Sequence, residues 1–81
     1  MSRYYFHTED GRCYPDEDGV EIENISDVQE RALRTLSEMS FAVREDLWRD
    51  GSMCVKVTDE TGLTLMQLDL AVTISPSIKA D

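Results

Sequence analysis

The sequence predicts a small α+β domain: an antiparallel sheet of three or four strands with one long helix packed on one face, in β-(β)-α-β-β order. Three observations predict it. An aromatic run, Arg3 to Thr8, stops at the turn residues Asp10-Gly11; apolar residues step by three and four from Val28 to Leu47; and strict alternation begins at Met53 and returns after Gly62.

The first strand is the aromatic run, ended by Glu9-Asp10-Gly11-Arg12, where Gly supplies the positive φ of a tight turn. A second strand is expected at Arg12-Cys13-Tyr14 or at Val20-Glu21-Ile22. Pro15 and Asp16-Glu17-Asp18-Gly19 separate the two, so the expectation is a loop with a strand fragment on either side.

The helix signal is the clearest. Ser26 as N-cap and Gln29 three residues on form a capping box, with Ile25 placed to staple onto the turn of Glu30. Val28, Ala32, Leu36, Met39, Val43 and Leu47 make one apolar stripe over about six turns, widened by Leu33. Asp27 and Glu30 near the start, and Arg44 and Arg49 near the end, match the helix dipole. Gly51 after Asp50 is the expected C-terminal stop.

A hairpin follows. Met53, Val55 and Val57 alternate with Cys54, Lys56 and Thr58, and the turn Asp59-Glu60-Thr61-Gly62 ends on glycine. The return strand from Leu63 puts Met66, Leu68, Leu70 and Val72 on one face, with Leu63 and Leu65 on the other. Residues 1–74 thus read as a single domain, and residues 75–81, from Ser75-Pro76-Ser77 onwards, as a flexible tail.

At 81 residues the chain holds one core and buries about 60–65% of the surface it exposes when unfolded. Its net charge of −9, from 17 acidic against 8 basic residues, repels phosphate backbones and anionic membrane surfaces, so neither nucleic acid nor membrane is an expected partner. Two cysteines are too few for a disulfide scaffold, no apolar run spans a bilayer, and Ser2-Arg3 leads into a polar strand with no signal-peptide character. The expected setting is the cytoplasm.

Few residues suggest chemistry. His7 is the lone histidine and offers two usable ring nitrogens for base or ligand chemistry, but a strand histidine bonded to backbone is the simpler reading, since catalysis also needs an acid or nucleophile within reach. Cys13 and Cys54 with His7 lack the short-spaced ligand pairs of structural zinc and read as packing thiols. The acidic run Asp16 to Glu23, set on a calcium loop with Gly19 at its sixth position, puts Tyr14 and Ile25 where carboxylates are required, and so reads as a solvated turn. Trp48 is expected to cover the end of the core. Arg31, Arg34, Arg44 and Arg49 alternate with acids and read as a solvated helix face.

One helix covers one face of the sheet. The other face would carry Tyr5 or Tyr4 with Cys54, Leu63 and Leu65, more apolar surface than a small monomer usually exposes. The candidate interface is accordingly Tyr5, His7, Cys54, Leu63 and Leu65, with no catalytic, cofactor or metal residues assigned.

The pattern Met1-x-Arg3-Tyr4-x-Phe6-His7, Asp10-Gly11, Asp16-x-x-Gly19-x-Glu21, Ala32-Leu33, Glu38-Met39 and Val55-x-Val57-Thr58-Asp59-Glu60-x-Gly62 resembles a family of short, mostly alphaproteobacterial proteins grouped as a domain of unknown function. The resemblance covers roughly residues 1 to 70. It implies a small bacterial cytosolic α+β protein and brings no catalytic residue with it. In layout alone the chain also resembles antitoxin domains of HicB type, which implies an acidic partner of a basic toxin. The expected function is therefore a non-catalytic interaction or regulatory module, acting as a homodimer or with a protein partner. The alternatives are the antitoxin-like role and a small enzyme using His7.

Overall fold

The structure, a computed structural model, describes residues 2–49 and 51–78. Strand β1 (Ser2–Glu9) pairs on one side with β4 (Ser52–Thr58), which pairs in turn with β5 (Thr64–Ala71). On its other side β1 meets two fragments, β2 (Cys13–Tyr14) opposite Thr8 and Glu9, and β3 (Val20–Ile22) opposite Ser2 to Tyr4. All pairings are antiparallel, and the order across the sheet is β2-β1-β4-β5, with β3 beside β2 on the same edge of β1. The α+β class and the loop flanked by strand fragments are as the sequence predicts.

Register sorts the side chains. Phe6 faces Val57 and Thr8 faces Val55, so Tyr4, Phe6 and Thr8 share the helix face with Met53, Val55 and Val57. Against them lie Val28, Ala32 and Leu36 of helix α1 (Ile25–Ala42) and Leu47 of the short helix α2 (Arg44–Leu47). Met66, Leu68 and Leu70 of β5, with Val72 just beyond it, close this core, as their alternation predicts. Arg31 lays its guanidinium over the Phe6 ring, 5.6 Å from the centroid, and covers the core's edge with aliphatic stem and charge together.

Four helix expectations are corrected. The N-cap is Asn24, not Ser26: the Asn24 carboxamide accepts from the Asp27 N–H at 3.1 Å, and the Ser26 hydroxyl donates to the same oxygen. Asn is at least as good a cap as Ser, and using it adds two residues to the helix. Second, the helix is broken at Val43, where φ −107° and ψ 24° leave the α region. The Val43 carbonyl then accepts from both Asp46 and Leu47, and the Arg44 guanidinium donates to the Phe41 carbonyl at 2.8 Å. Leu47 still reaches the core because of this bend.

Third, Leu33 does not widen the core stripe; it is 58% exposed, because the sheet is too narrow to reach that flank of α1. Fourth, Trp48 does not cover the core. It follows the bend, and 64% of it remains exposed. Gly51 sits where expected but is not one of the positive-φ glycines, and Asp50 lies outside the described residues. Of the predicted tail, Ser75–Ile78 forms a turn closed by the Ile78 N–H on the Ser75 carbonyl, and residues 79–81 lie outside the described residues.

Candidate functional site

The chemistry-bearing residues gather on the helix-free face. Register places Tyr5 opposite Thr58, His7 opposite Lys56 and Glu9 opposite Cys54, with Gln67 and Asp69 of β5 continuing the last two rows. Tyr5 is therefore on this face and Tyr4 on the core. Tyr5 and His7 stack with 9° between ring planes and 6.4 Å between centroids.

Between the two strand fragments, the edge of β1 has a gap at Tyr5 to His7, and the loop fills it. The Phe6 N–H, with no strand to donate to, donates to Asp16 Oδ2 at 3.1 Å. Asp16 Oδ1 accepts from the N–H groups of Asp18 and Gly19, both at 3.1 Å, and the Asp16 N–H donates to His7 Nδ1 at 3.0 Å. One residue thus replaces a missing strand and folds the loop around itself. Burial pushes the Asp16 carboxyl up, but the donors from Gly19, Phe6 and Asp18, with His7 adding in the same direction when charged, outweigh it and hold the group below its ordinary value.

The bonding pattern assigns the histidine. Nδ1 accepts a backbone N–H and so carries the lone pair, which puts the proton of the neutral ring on Nε2, facing Thr58 Oγ1 at 3.0 Å. Both ring nitrogens are occupied by the scaffold. A general base needs a free lone pair aimed at substrate, and here the lone pair is used. A His7→Ala variant is expected to lose about 1–2 kcal/mol of stability through these bonds, read as a lower urea midpoint at pH 7. An unchanged midpoint would show that the ring does not clasp loop to sheet.

Glu21 and Arg3 close the outer end of this clasp, with an ion pair at 3.6 Å and an Arg3 bond to the Asp18 carbonyl at 2.7 Å. Gly19, at φ +69°, lies so close to Tyr5, Arg3 and the Tyr4 carbonyl that a Cβ would come within 3.0 Å of each. Asp59 organises the β4–β5 turn in the same manner, accepting from the N–H groups of Thr61 and Leu63 and from the Thr61 hydroxyl.

The cysteines are not the packing thiols expected: Cys13 is exposed and Cys54 half-exposed. Both flank Glu9 across the sheet, because β2 is only two residues long and leaves this corner uncovered. Burial raises the Cys54 thiol above its ordinary value, and the carboxylates of Glu9 and Asp69 add to this while Lys56 opposes, so the thiol stays protonated. His7, Glu9, Cys13, Cys54 and Lys56 border an open hollow of about 290 Å³, just under the roughly 300–1,000 Å³ usual for ligand pockets. Among the described residues no group of three or more His, Cys, Asp or Glu is placed to hold a metal ion, and no helix is long and apolar enough to cross a membrane.

The exposed apolar residues beside β5 form two clusters, not the single slab the sequence predicts. Leu63 is 61% exposed and Leu65 40%, at the start of β5, but the face beyond them is polar, with Lys56, Gln67, Asp69 and Glu9. Phe41 and Trp48 lie at the other end of β5, on the helix side, bordering an open groove with Leu70 and Val72. Both clusters flank the same strand.

Residues 3–71 match a family described as a domain of unknown function, DUF6894. The chain belongs to that family. No curated protein and no solved structure matches it. In this DUF6894 domain, Arg3, Phe6, His7, Asp16, Gly19, Glu21 and Thr58 are the residues that build the clasp. Asp16 is the residue whose role sequence reasoning missed; its signal was position, one residue after Pro15 and three before Gly19, where an Asx-type side chain caps a turn.

Proposed function

We propose that this chain is a non-catalytic interaction module of the bacterial cytoplasm, working as a homo-oligomer or with a protein partner. The single observation that carries this reading is the pair of exposed apolar clusters, Leu63 with Leu65 and Phe41 with Trp48, at the two ends of a sheet edge on which no other strand of the described residues pairs. Two further observations support it: the His7 ring nitrogens are spent on the scaffold, and the Cys54 thiol is held protonated. Neither nucleic acid nor membrane suits the net charge of −9.

The test is capture from cells that express two differently tagged copies of the chain, with mass spectrometry of what stays bound through a moderate salt wash. The expected result is one stoichiometric companion, either the second copy or a single other protein. Bait alone, free of both, would sink the module reading and return the hollow beside His7 to ligand screening.

A further inference from the structure

The two edges of the sheet are finished differently. On the β1 side the edge is broken into fragments of two and three residues, with Pro15 and the Asp16 clasp between them. On the other side β5 runs eight residues with no proline and no lysine, and its one charged residue is Asp69. Its orientation follows from one hydrogen bond. The Val72 N–H donates to the Gly51 carbonyl at 3.0 Å, in continuation of the Ser52–Ala71 register, so Leu70 and Leu68 also turn their amides inward to β4. Gln67, Asp69 and Ala71 therefore present their N–H and C=O groups outward.

From this we infer that β5 pairs antiparallel with β5 of a second copy, about a two-fold axis at Leu68, to give a continuous sheet through the dimer. This deepens the module reading and rests on it. In that register Leu68 faces its symmetry mate, Met66 faces Leu70 of the second copy and Gln67 faces Asp69, while Leu65, the extra residue where the β4–β5 register shifts between Val57 and Thr58, stands outside the regular ladder. Directly opposed residues share a face, so the helix-side pairs are all apolar and extend towards Phe41 and Trp48. Moving the axis to Asp69 would set carboxylate against carboxylate, and moving it to Gln67 would set Asp69 against Leu65. Axes at Met66 or Leu70 also avoid both but pair fewer residues of β5, so Leu68 is the centre that avoids both along most of the strand.

Charge selects the second copy over a basic protein. The −9 charge opposes association at long range, but it is screened within about 8 Å at physiological salt. Locally, the groove between Phe41, Trp48, Leu70 and Val72 is lined by no carboxylate and carries one guanidinium, that of Arg44, already lying 4.3 Å over the Phe41 ring. A basic partner would find no complementary charge there, whereas a second copy meets apolar surface like its own.

Sedimentation equilibrium across a concentration series, with amide exchange of the same samples, tests the pairing. The wild-type chain is expected at twice 9.3 kDa, with slow exchange at the outward amides of Gln67 and Asp69. Gln67→Asp creates two like-charge contacts across the axis by symmetry. Within its own chain it also replaces the bond from Gln67 Nε2–H to Asp69 Oδ1, 3.0 Å, by neighbouring carboxylates, which Lys56 opposite position 67 offsets. The urea midpoint of the variant is therefore read beside its mass and is expected to stay close to that of the wild type. The substitution is expected to weaken the dimer on the order of 30-fold and to free the Asp69 amide. Adding Asp69→Lys turns both contacts attractive and restores the wild-type affinity to within about threefold. A wild-type mass of one chain, or a dimer indifferent to Gln67→Asp, overturns the inference. If the wild type is monomeric yet captures another protein, the module reading stands without it; if it is monomeric and captures nothing, both fall.

Discussion

An Asp16→Ala variant is expected to melt on the order of 10–20 °C below the parent chain at pH 7. The carboxylate accepts from Phe6, Asp18 and Gly19, so its loss strands three backbone donors at the gap between β2 and β3. Charge-assisted bonds of this kind are worth more than neutral ones, but the site is partly open and water compensates in part, which leaves about 2–3 kcal/mol, at roughly 4–8 °C per kcal/mol for a domain of this size. Asp16→Asn is expected to rescue little. Both carboxylate oxygens accept, and an amide would present an NH2 to one of the donors.

The same residue fixes a pH dependence. The folded-state value of Asp16 lies below 3.8, so its contribution is fully present above that value and is lost as pH falls through the folded value. Asp59 is shifted in the same direction, chiefly by the Thr61 hydroxyl, and adds to the slope. The gap in melting temperature between the wild type and Asp16→Ala is therefore expected to be constant from neutral pH to about 5 and to narrow below about 4. A gap as wide at the acid end as at pH 7 would show that the loss comes from packing and not from the carboxylate.

How much of this was legible depended on the range of the interactions. The alternation of Met53, Val55 and Val57 and the stripe Val28, Ala32, Leu36 report which face is buried, a property each element carries in its own period, and both reached the structure intact. Leu33 and Trp48 are apolar residues whose burial depends on whether a neighbour extends far enough to cover them; the sheet does not reach Leu33, and the bend at Val43 turns Trp48 outward. Of the candidate interface, Leu63 and Leu65 are exposed, while Tyr5 and His7 are absorbed into the clasp. The Asp16 clasp spans 10 residues to Phe6, and the bond from His7 to Thr58 spans 51, distances over which no local pattern speaks.

Gly51→Ala is expected to cost about 2–3 kcal/mol, and for a reason other than backbone freedom. Gly51 lacks the positive φ that would make glycine obligatory at a helix C-terminus, so conformation alone would permit alanine. Space does not. A Cβ would stand 2.5 Å from the Asp46 carbonyl oxygen and 2.9 Å from Leu47 Cα, and both obstacles are backbone, which cannot swing aside. Gly51 is also tied on both sides, its N–H donating to the Leu47 carbonyl and its own carbonyl accepting from Val72 at the end of β5. Relief of the clash has to move α2 away from β4, and that lifts Leu47 off Met53 and the core. Gly62→Ala is the matched control: φ is +90° and nothing lies within 4 Å, so only the left-handed conformation is penalised, at about 1 kcal/mol. Urea midpoints at constant slope decide between the two origins. The larger loss at Gly51 establishes close approach of α2 to β4 as what fixes the end of the helix, whereas a larger loss at Gly62 would return the glycine at 51 to an ordinary chain terminator.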